Sequence, residues 1–323
     1  SVCNGTKTEA VPKIPTYAVV FKNWDGTVLS TKQYAMGEKV TAPHNQDIIS
    51  HIELALKEDV GQADHSSLSC IEKTTIDKAK LVAKQDCIIC GIEVARMVYN
   101  QVDESVKFTA LKKDGDKVKK GEEIFKVEGS AISILTAERT ALNYMQRLSA
   151  ISTRTSYYQS LIEGTNAKLL DTRKTTPTMR ILEKYAVKTG GGTNHRFGLY
   201  DMIMLKDNHI DFAGGISKAI DKVHNYLKEN SLNIKIEIEV RDFSELNQVL
   251  EKGGVDRIML DNFSVEDTKK AVEIINKRYE IESSGGINET TLPLYAQTGV
   301  DFISVGALTH KIDSIDLSLV ADN

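Results

Sequence analysis

The chain has 323 residues, 41% of them apolar and 27% charged, with a formal net charge of −4. That length supports a substantial core and two domains, or one domain with an appendage, and the near-neutral balance gives no reason to expect nucleic acid or membrane as a partner. No apolar run reaches the roughly 18 residues needed to cross a bilayer, and the opening "SVCNGTKTEAVPK" lacks the apolar stretch of a signal peptide, so a cytoplasmic location is the expectation.

Residues 17–43, "YAVVFKNWDGTVLSTKQYAMGEKVTAP", alternate apolar and polar residues about Asp25-Gly26, a hairpin signal bracketed by Pro12, Pro15 and Pro43. The stretch resembles the small β units repeated in bacterial surface proteins and is read as a β extension over 1–45. A helix is expected at about 46–58, with Ile48, Ile49, Ile52, Leu54, Ala55 and Leu56 on its apolar face. Residues 76–130 read as strand-rich. Within them Cys87 and Cys90 have the spacing of a redox or half-zinc pair, yet no further ligand pair completes four, and positions three apart on a strand face opposite sides. Two packed thiols are expected there. "KDGDKVKKGEEIFKVEG" resembles the turn-and-strand pattern of lipoyl and biotinyl carriers, but no lysine stands at a hairpin tip and an ordinary strand pair is expected.

A long helix carrying Arg139 and Arg147 is expected over 136–162, where Ala141, Leu142, Met145, Leu148 and Ile151 recur at helical spacing. Beyond it, strand-like runs at 167–173, 201–206, 234–240, 255–261, 279–285 and 300–306 alternate with helical patterns. Thr176 before Pro177 marks one helix start, and Ser264 to Asp267 has capping-box spacing at another. The fold class predicted is α/β. An α/β barrel of six visible strand-helix units over 151–323 follows an N-terminal α+β, sandwich-like domain over 46–150, and the last residues could pack back on that domain. An open doubly wound sheet is the alternative.

In such barrels the chemistry collects at the carboxyl ends of the strands. Those ends carry Arg173-Lys174, Lys206, Glu239, Asp261, Ser283-Ser284-Gly285-Gly286 and Gly306-Ala307. Between Asp171 and Lys206 seven Lys/Arg face three acidic residues, an excess of four that favours an anionic ligand, although Lys184 and Lys188 are expected only to solvate a helix. Glu239 and Asp261 are placed to accept hydrogen bonds from sugar hydroxyls or to hold Mg²⁺, and the small-residue turns at 283–286 and 306–307 suit a terminal phosphate. Gly190–Gly192 are expected to let the backbone bend and approach a ligand, presenting His195 and Arg196 as donors.

The motifs "ERTALN" (138–143), "TRKTTP" (172–177), "KYAVKTGGGTNHR" (184–196), "MLKDNHI" (204–210), "IEIEV" (236–240), "MLDNF" (259–263), "SSGGI" (283–287) and "ISVGALTH" (303–310) together resemble the quinolinate phosphoribosyltransferases. That family is also called nicotinate-nucleotide pyrophosphorylase (carboxylating), and the likeness covers about residues 46–323. It implies a Mg²⁺-dependent enzyme of NAD biosynthesis that joins quinolinate to phosphoribosyl pyrophosphate, giving nicotinate mononucleotide, pyrophosphate and CO₂. By the same likeness Arg139, Arg173, His195, Arg196 and Lys206 surround the two quinolinate carboxylates. Lys174, helped by Lys206, faces the pyrophosphate. Glu239 and Asp261 serve the ribose hydroxyls and the metal, while Ser284, Gly285, Gly286, Gly306 and Ala307 cradle the 5′-phosphate. The family's counterpart of Arg139 enters from a neighbouring subunit, which implies an obligate homodimer.

Ala63, Cys87 and Thr178 stand where the family commonly has glycine, and Lys311 where it often has serine; none replaces a charged ligand. Two rival readings are a relative acting on another anion, such as the molybdenum-associated members, and a non-catalytic binding protein on the same scaffold, attached through its 17–43 unit.

Overall fold

The structure is a computed structural model that describes residues 16–22, 28–35 and 43–322. It divides into two units between Glu58 and Asp59. In the first, β1 (Thr16–Lys22) and β2 (Val28–Ala35) form an antiparallel hairpin with Thr16 opposite Ala35, as the alternation predicts. The Asp25-Gly26 turn lies outside the described residues. Helix α1 (Pro43–Val60) starts on a proline, tolerated there because the first N–H of a helix has no internal partner.

The second unit opens with α2 (His65–Cys70), capped by Asp64, whose carboxylate accepts the Ser67 amide at 3.0 Å. There follow β3 (Ile76–Ala83), β4 (Cys87–Ile88), α3 (Ile92–Val102), β5 (Lys107–Ala110), β6 (Lys117–Val118) and β7 (Glu123–Ser130). Helix α3 interrupts the region that the sequence reads as strand-rich; its buried Ile92, Ala95, Val98 and Tyr99 recur every three or four residues. Cys87 and Cys90 are free and buried, as expected, and burial pushes the Cys87 thiol up to about 11. The long α4 (Ala131–Leu161) begins five residues before its expected start because Ser130 caps it, accepting from the Ser133 amide.

The strand-helix alternation continues with β8 (Lys168–Leu170), α5 (Arg180–Thr189), β9 (Ile203–Leu205), α6 (Asp207–Ala213), α7 (Ile216–Glu229), β10 (Ile236–Val240), α8 (Phe243–Lys252) and β11 (Arg257–Asp261). It ends with α9 (Val265–Ile275), β12 (Glu280–Ser284), α10 (Leu292–Ala296), β13 (Phe302–Ser304), α11 (Ala307–His310) and β14 (Leu317–Ala321). All six expected strands are present and pair in parallel in the order β8-β13-β12-β11-β10-β9. Each strand from β10 to β13 lies beside its predecessor, whereas β8, the first, pairs with β13, the last. Among the described residues no ladder joins β8 to β9; Leu170 is instead bridged by Thr193. A second sheet, antiparallel, has the order β14-β3-β7-β5, so residues 317–321 pair with β3.

One helix start differs from expectation. Thr176 does not cap a helix; its carbonyl accepts the Met179 amide in a turn through Pro177 and Thr178, and α5 begins only at Arg180. Ser264 does cap α9, accepting from the Asp267 amide at 3.0 Å.

Candidate active site

Register and pleat decide which side chains share a face. On the six-stranded sheet one face carries Ile203, Leu205, Ile236, Ile238, Ile258, Leu260, Ile281 and Ile303, an apolar surface for crossover helices. The other carries Glu237, Glu239, Arg257, Asp261, Glu282, Ser284 and Ser304. Charge on alternate residues of "IEIEV" and "EIESS" is the sequence trace of that polar face.

At its carboxyl end the expected residues converge. Lys206, which follows β9, donates from Nζ to Glu239 Oε2 at 2.6 Å, because Leu205 stands opposite Ile238 on the neighbouring strand. Asp261 closes β11 opposite Ser284 on β12. Its Oδ2 accepts the Asn262 amide group at 2.8 Å, and Asn262 takes a φ of +55°, which asparagine tolerates better than most residues. Gly285 has a φ of +100°, and a β-carbon there would lie 2.3 Å from Asn262 Oδ1, so the turn needs glycine. Lys174 and Gly306 also meet: a β-carbon on Gly306 would lie 3.1 Å from Lys174 Cδ. Ala307 opens α11 behind it.

Beneath this rim is a buried cluster of which the motifs singled out only His195. His195 Nε2 lies 3.1 Å from Glu237 Oε2 and 3.3 Å from Glu282 Oε2, and Arg257 Nη1 donates to Glu282 Oε2 at 3.1 Å. Neither Glu237 oxygen has a partner in hydrogen-bonding geometry, so its contact with His195 is charge to charge. Burial alone would push His195 down, but Glu237 and Glu282 outweigh it and raise the ring to about 9. The Arg196 amide also donates to His195 Nδ1 at 2.6 Å, which suits a neutral ring. The two carboxyl groups beside Nε2 favour the protonated ring over that single amide contact. Burial and the Glu282 charge push the Glu237 carboxyl up, whereas, against burial, His195 holds Glu282 down, so the two acids do not share the charge equally. The ligand atoms of His195, Glu237 and Glu282 lie within 4.8 Å of one another, but a divalent ion among them would meet the Arg257 guanidinium. His195, expected as a direct donor, thus has both nitrogens turned to protein atoms. Arg196 beside it is held down in pKa by burial and by the neighbouring Arg173, which brings the expected cations together.

Other expectations change. Lys184 does not solvate a helix: it is 1% exposed, pairs with Asp171 and donates to the His195 carbonyl at 3.1 Å. Burial raises Asp171 to about 6 and lowers Lys184, against their mutual attraction. With its amide turned to satisfy both ends, Asn194 donates to Asp171 Oδ2 at 2.8 Å, so this pair anchors the segment bearing His195 and Arg196. Gly190 and Gly192 approach protein rather than ligand, since β-carbons there would fall 2.4 Å from the Ser152 carbonyl and 2.8 Å from Thr155 Cγ2, both on α4. Arg180 is spent on the Phe197 carbonyl at 3.0 Å. Arg147, which alone would read as a solvated charge, bonds Glu183. Arg139 is exposed on α4, and among the described contacts none joins it to the strand ends.

Comparison with known proteins places the chain in a family. Residues 64–149 match the N-terminal domain of quinolinate phosphoribosyl transferase and residues 151–320 its C-terminal domain. A Nicotiana tabacum protein named quinolinate phosphoribosyltransferase [decarboxylating] 1b is 43% identical over 301 residues, covering 88% of this chain and 85% of its own. An Arabidopsis thaliana protein named nicotinate-nucleotide pyrophosphorylase [carboxylating], chloroplastic, is 41% identical over 307 residues, covering 90% and 87%. The nicotinate-nucleotide pyrophosphorylase structure from Francisella tularensis superposes with a TM-score of 0.81 at 42% identity, covering 88% of this chain and 98% of that one. Motifs, sheet order and both matched domains lead to one conclusion: the chain belongs to the quinolinate phosphoribosyltransferase family.

Proposed function

We propose that the chain transfers the phosphoribosyl group of phosphoribosyl pyrophosphate to the ring nitrogen of quinolinate and releases pyrophosphate and CO₂, leaving nicotinate mononucleotide. The observation that carries this reading is the 2.6 Å contact between Lys206 and Glu239, where cationic and acidic strand ends meet at one rim.

Arg173, Arg196 and Lys206 take the two carboxylates of quinolinate, each charge-assisted bond contributing about 1.5–3 kcal/mol. Arginine suits the bidentate partner and lysine the phosphate as a point charge, so Lys174 faces the pyrophosphate. His195 lends its positive charge from beneath. Ser284, Gly285, Gly286, Gly306 and Ala307 cradle the 5′-phosphate. As the ring nitrogen attacks C1 of the ribose, positive charge develops there that Glu239 and Asp261 stabilise. With the nitrogen quaternary, the adjacent carboxylate leaves as CO₂ because the ring cation stabilises the electron pair left behind, and a proton takes its place.

Glu239 and Asp261 also fit Mg²⁺: both offer hard oxygen ligands, and among the described contacts one oxygen of each is taken, by Lys206 and by Asn262. When bound, the ion supplies charge neutralisation to the departing pyrophosphate. Arg139 is assigned to the site of a second copy, making a homodimer; its exposure on α4 supports that assignment. Closure of the sheet into a barrel is supported by the pairing of β8 with β13 and by the burial of Glu237 and Glu282. Right-handed crossovers between successive neighbouring strands would put their helices on one side, leaving the curl of the sheet to cover the charged face. Among the described residues no helix is long and apolar enough to cross a membrane. The cytoplasm is proposed on composition, against the chloroplast designation of the Arabidopsis relative.

Incubation with quinolinate, phosphoribosyl pyrophosphate and Mg²⁺, followed by mass detection, is expected to yield nicotinate mononucleotide; nicotinate in place of quinolinate is expected to yield none. Arg173→Ala or Lys206→Ala should lower turnover by about a hundredfold or more with cooperative unfolding retained. Product from nicotinate alone, or near-normal rates in both variants, contradicts the assignment.

A further inference from the structure

We propose that Arg147 is a positioning residue that fixes the spacing between Lys174 and the Gly306-Ala307 turn, and through it the fit of the sugar-phosphate substrate. The proposal rests on the reading of those two places as holders of the pyrophosphate and the 5′-phosphate.

Arg147 leaves α4 and meets three segments at once. Its Nε donates to Glu183 Oε1 at 2.8 Å, and its Nη2 donates to Thr176 Oγ1 at 2.7 Å and to the Thr309 carbonyl at 3.4 Å. Glu183 on α5 is fully buried, and its other oxygen accepts the Thr176 amide at 3.2 Å. Thr309 in turn donates from Oγ1 to the Lys174 carbonyl at 2.7 Å. The guanidinium therefore locks the turn after β8 to the short helix after β13, and the Lys174 stem lies against Gly306 as a result.

A substrate with a phosphate at each end has to span those two places. Displacing a positioning group by about 1 Å can cost about a hundredfold in rate, and here the loss falls on the substrate that bridges the gap. Arg173, Arg196 and Lys206, assigned to quinolinate, are not among the partners of Arg147. A lysine at 147 would keep the charge beside Glu183 but lacks the planar fork that reaches Thr176 and Thr309.

The test measures KM for each substrate and the thermal midpoint in Arg147→Lys, Thr309→Val and, as a control on the site reading, Lys174→Met. The expected result is a rise of about tenfold in the KM for phosphoribosyl pyrophosphate in Arg147→Lys and about threefold or more in Thr309→Val, with the KM for quinolinate within about twofold of normal. Should Arg147→Lys fail to fold, Thr309→Val, which keeps the buried ion pair, carries the test. Folded variants whose two KM values stay unchanged or rise together overturn the proposal. If Lys174→Met also leaves the KM for phosphoribosyl pyrophosphate unmoved, the phosphate assignment itself has failed, and the role of Arg147 falls with it.

Discussion

At Thr178 a β-branched side chain sits on backbone with a φ of +68°, a conformation that glycine takes without penalty. This gives a physical reason why glycine is common there in the family; Ala63, the other loop departure, is outside the positive-φ set. Left-handed backbone costs an ordinary residue roughly 1–2 kcal/mol, and glycine forfeits roughly 0.5–1 kcal/mol in chain entropy. Thr178→Gly is thus expected to raise the thermal midpoint by a few degrees at most; a clear fall would show that the threonine side chain earns its place. His195 gives a second prediction at this scale. Its folded value of about 9 lies above the ordinary 6.5, so its contribution is whole below about pH 6.5 and is lost as pH rises through 9. The midpoint should fall between pH 7 and 9.5, and the slope should flatten in His195→Gln; equal slopes would remove the charged ring from the account. Strand-end charges were legible because they terminate apolar runs. Lys184, Glu237, Glu282 and Arg147 were not, because which charges a fold buries depends on partners far away in the chain.

Among the elements, strands read better than boundaries. Each of the six parallel strands carries apolar residues at least on alternate positions, and periodicity finds that; their ends moved by at most three residues because ladder bonding, not composition, decides where a strand stops. Helix α3 was lost inside a region judged by its neighbours. The glycine run looked like ligand chemistry but answers to helix packing, since Gly190 and Gly192 let α5 end against Ser152 and Thr155 of α4. The β1–β2 hairpin belongs to a separate unit and precedes the matched domain residues. A chain lacking residues 1–44 is expected to keep its turnover within about twofold, since no element of the proposed site lies there. Complete loss of activity in a truncated chain that still unfolds cooperatively would give the hairpin a working role.

For the molecule as a whole, the repeat of strand and helix announced a parallel sheet, and the convergence of opposite charges at one rim followed from reading strand ends in order. The pairing of β8 with β13 was legible only through the barrel reading, which sets the first strand of the repeat beside the last, because nothing local in a strand names a neighbour more than a hundred residues away. The return of the last residues to the N-terminal domain was legible, but not that they would come back as a strand, β14, whose Leu317 stands opposite Ala83 of β3. That ladder has a consequence for biogenesis. While the polypeptide is being made, β3 emerges from the ribosome long before its edge partner exists, and it waits with a bare row of amides and carbonyls on one side. The early sheet is therefore finished late, after the intervening strands and helices have been translated, so a nascent chain stalled before residue 317 leaves an open sheet edge for chaperones to guard.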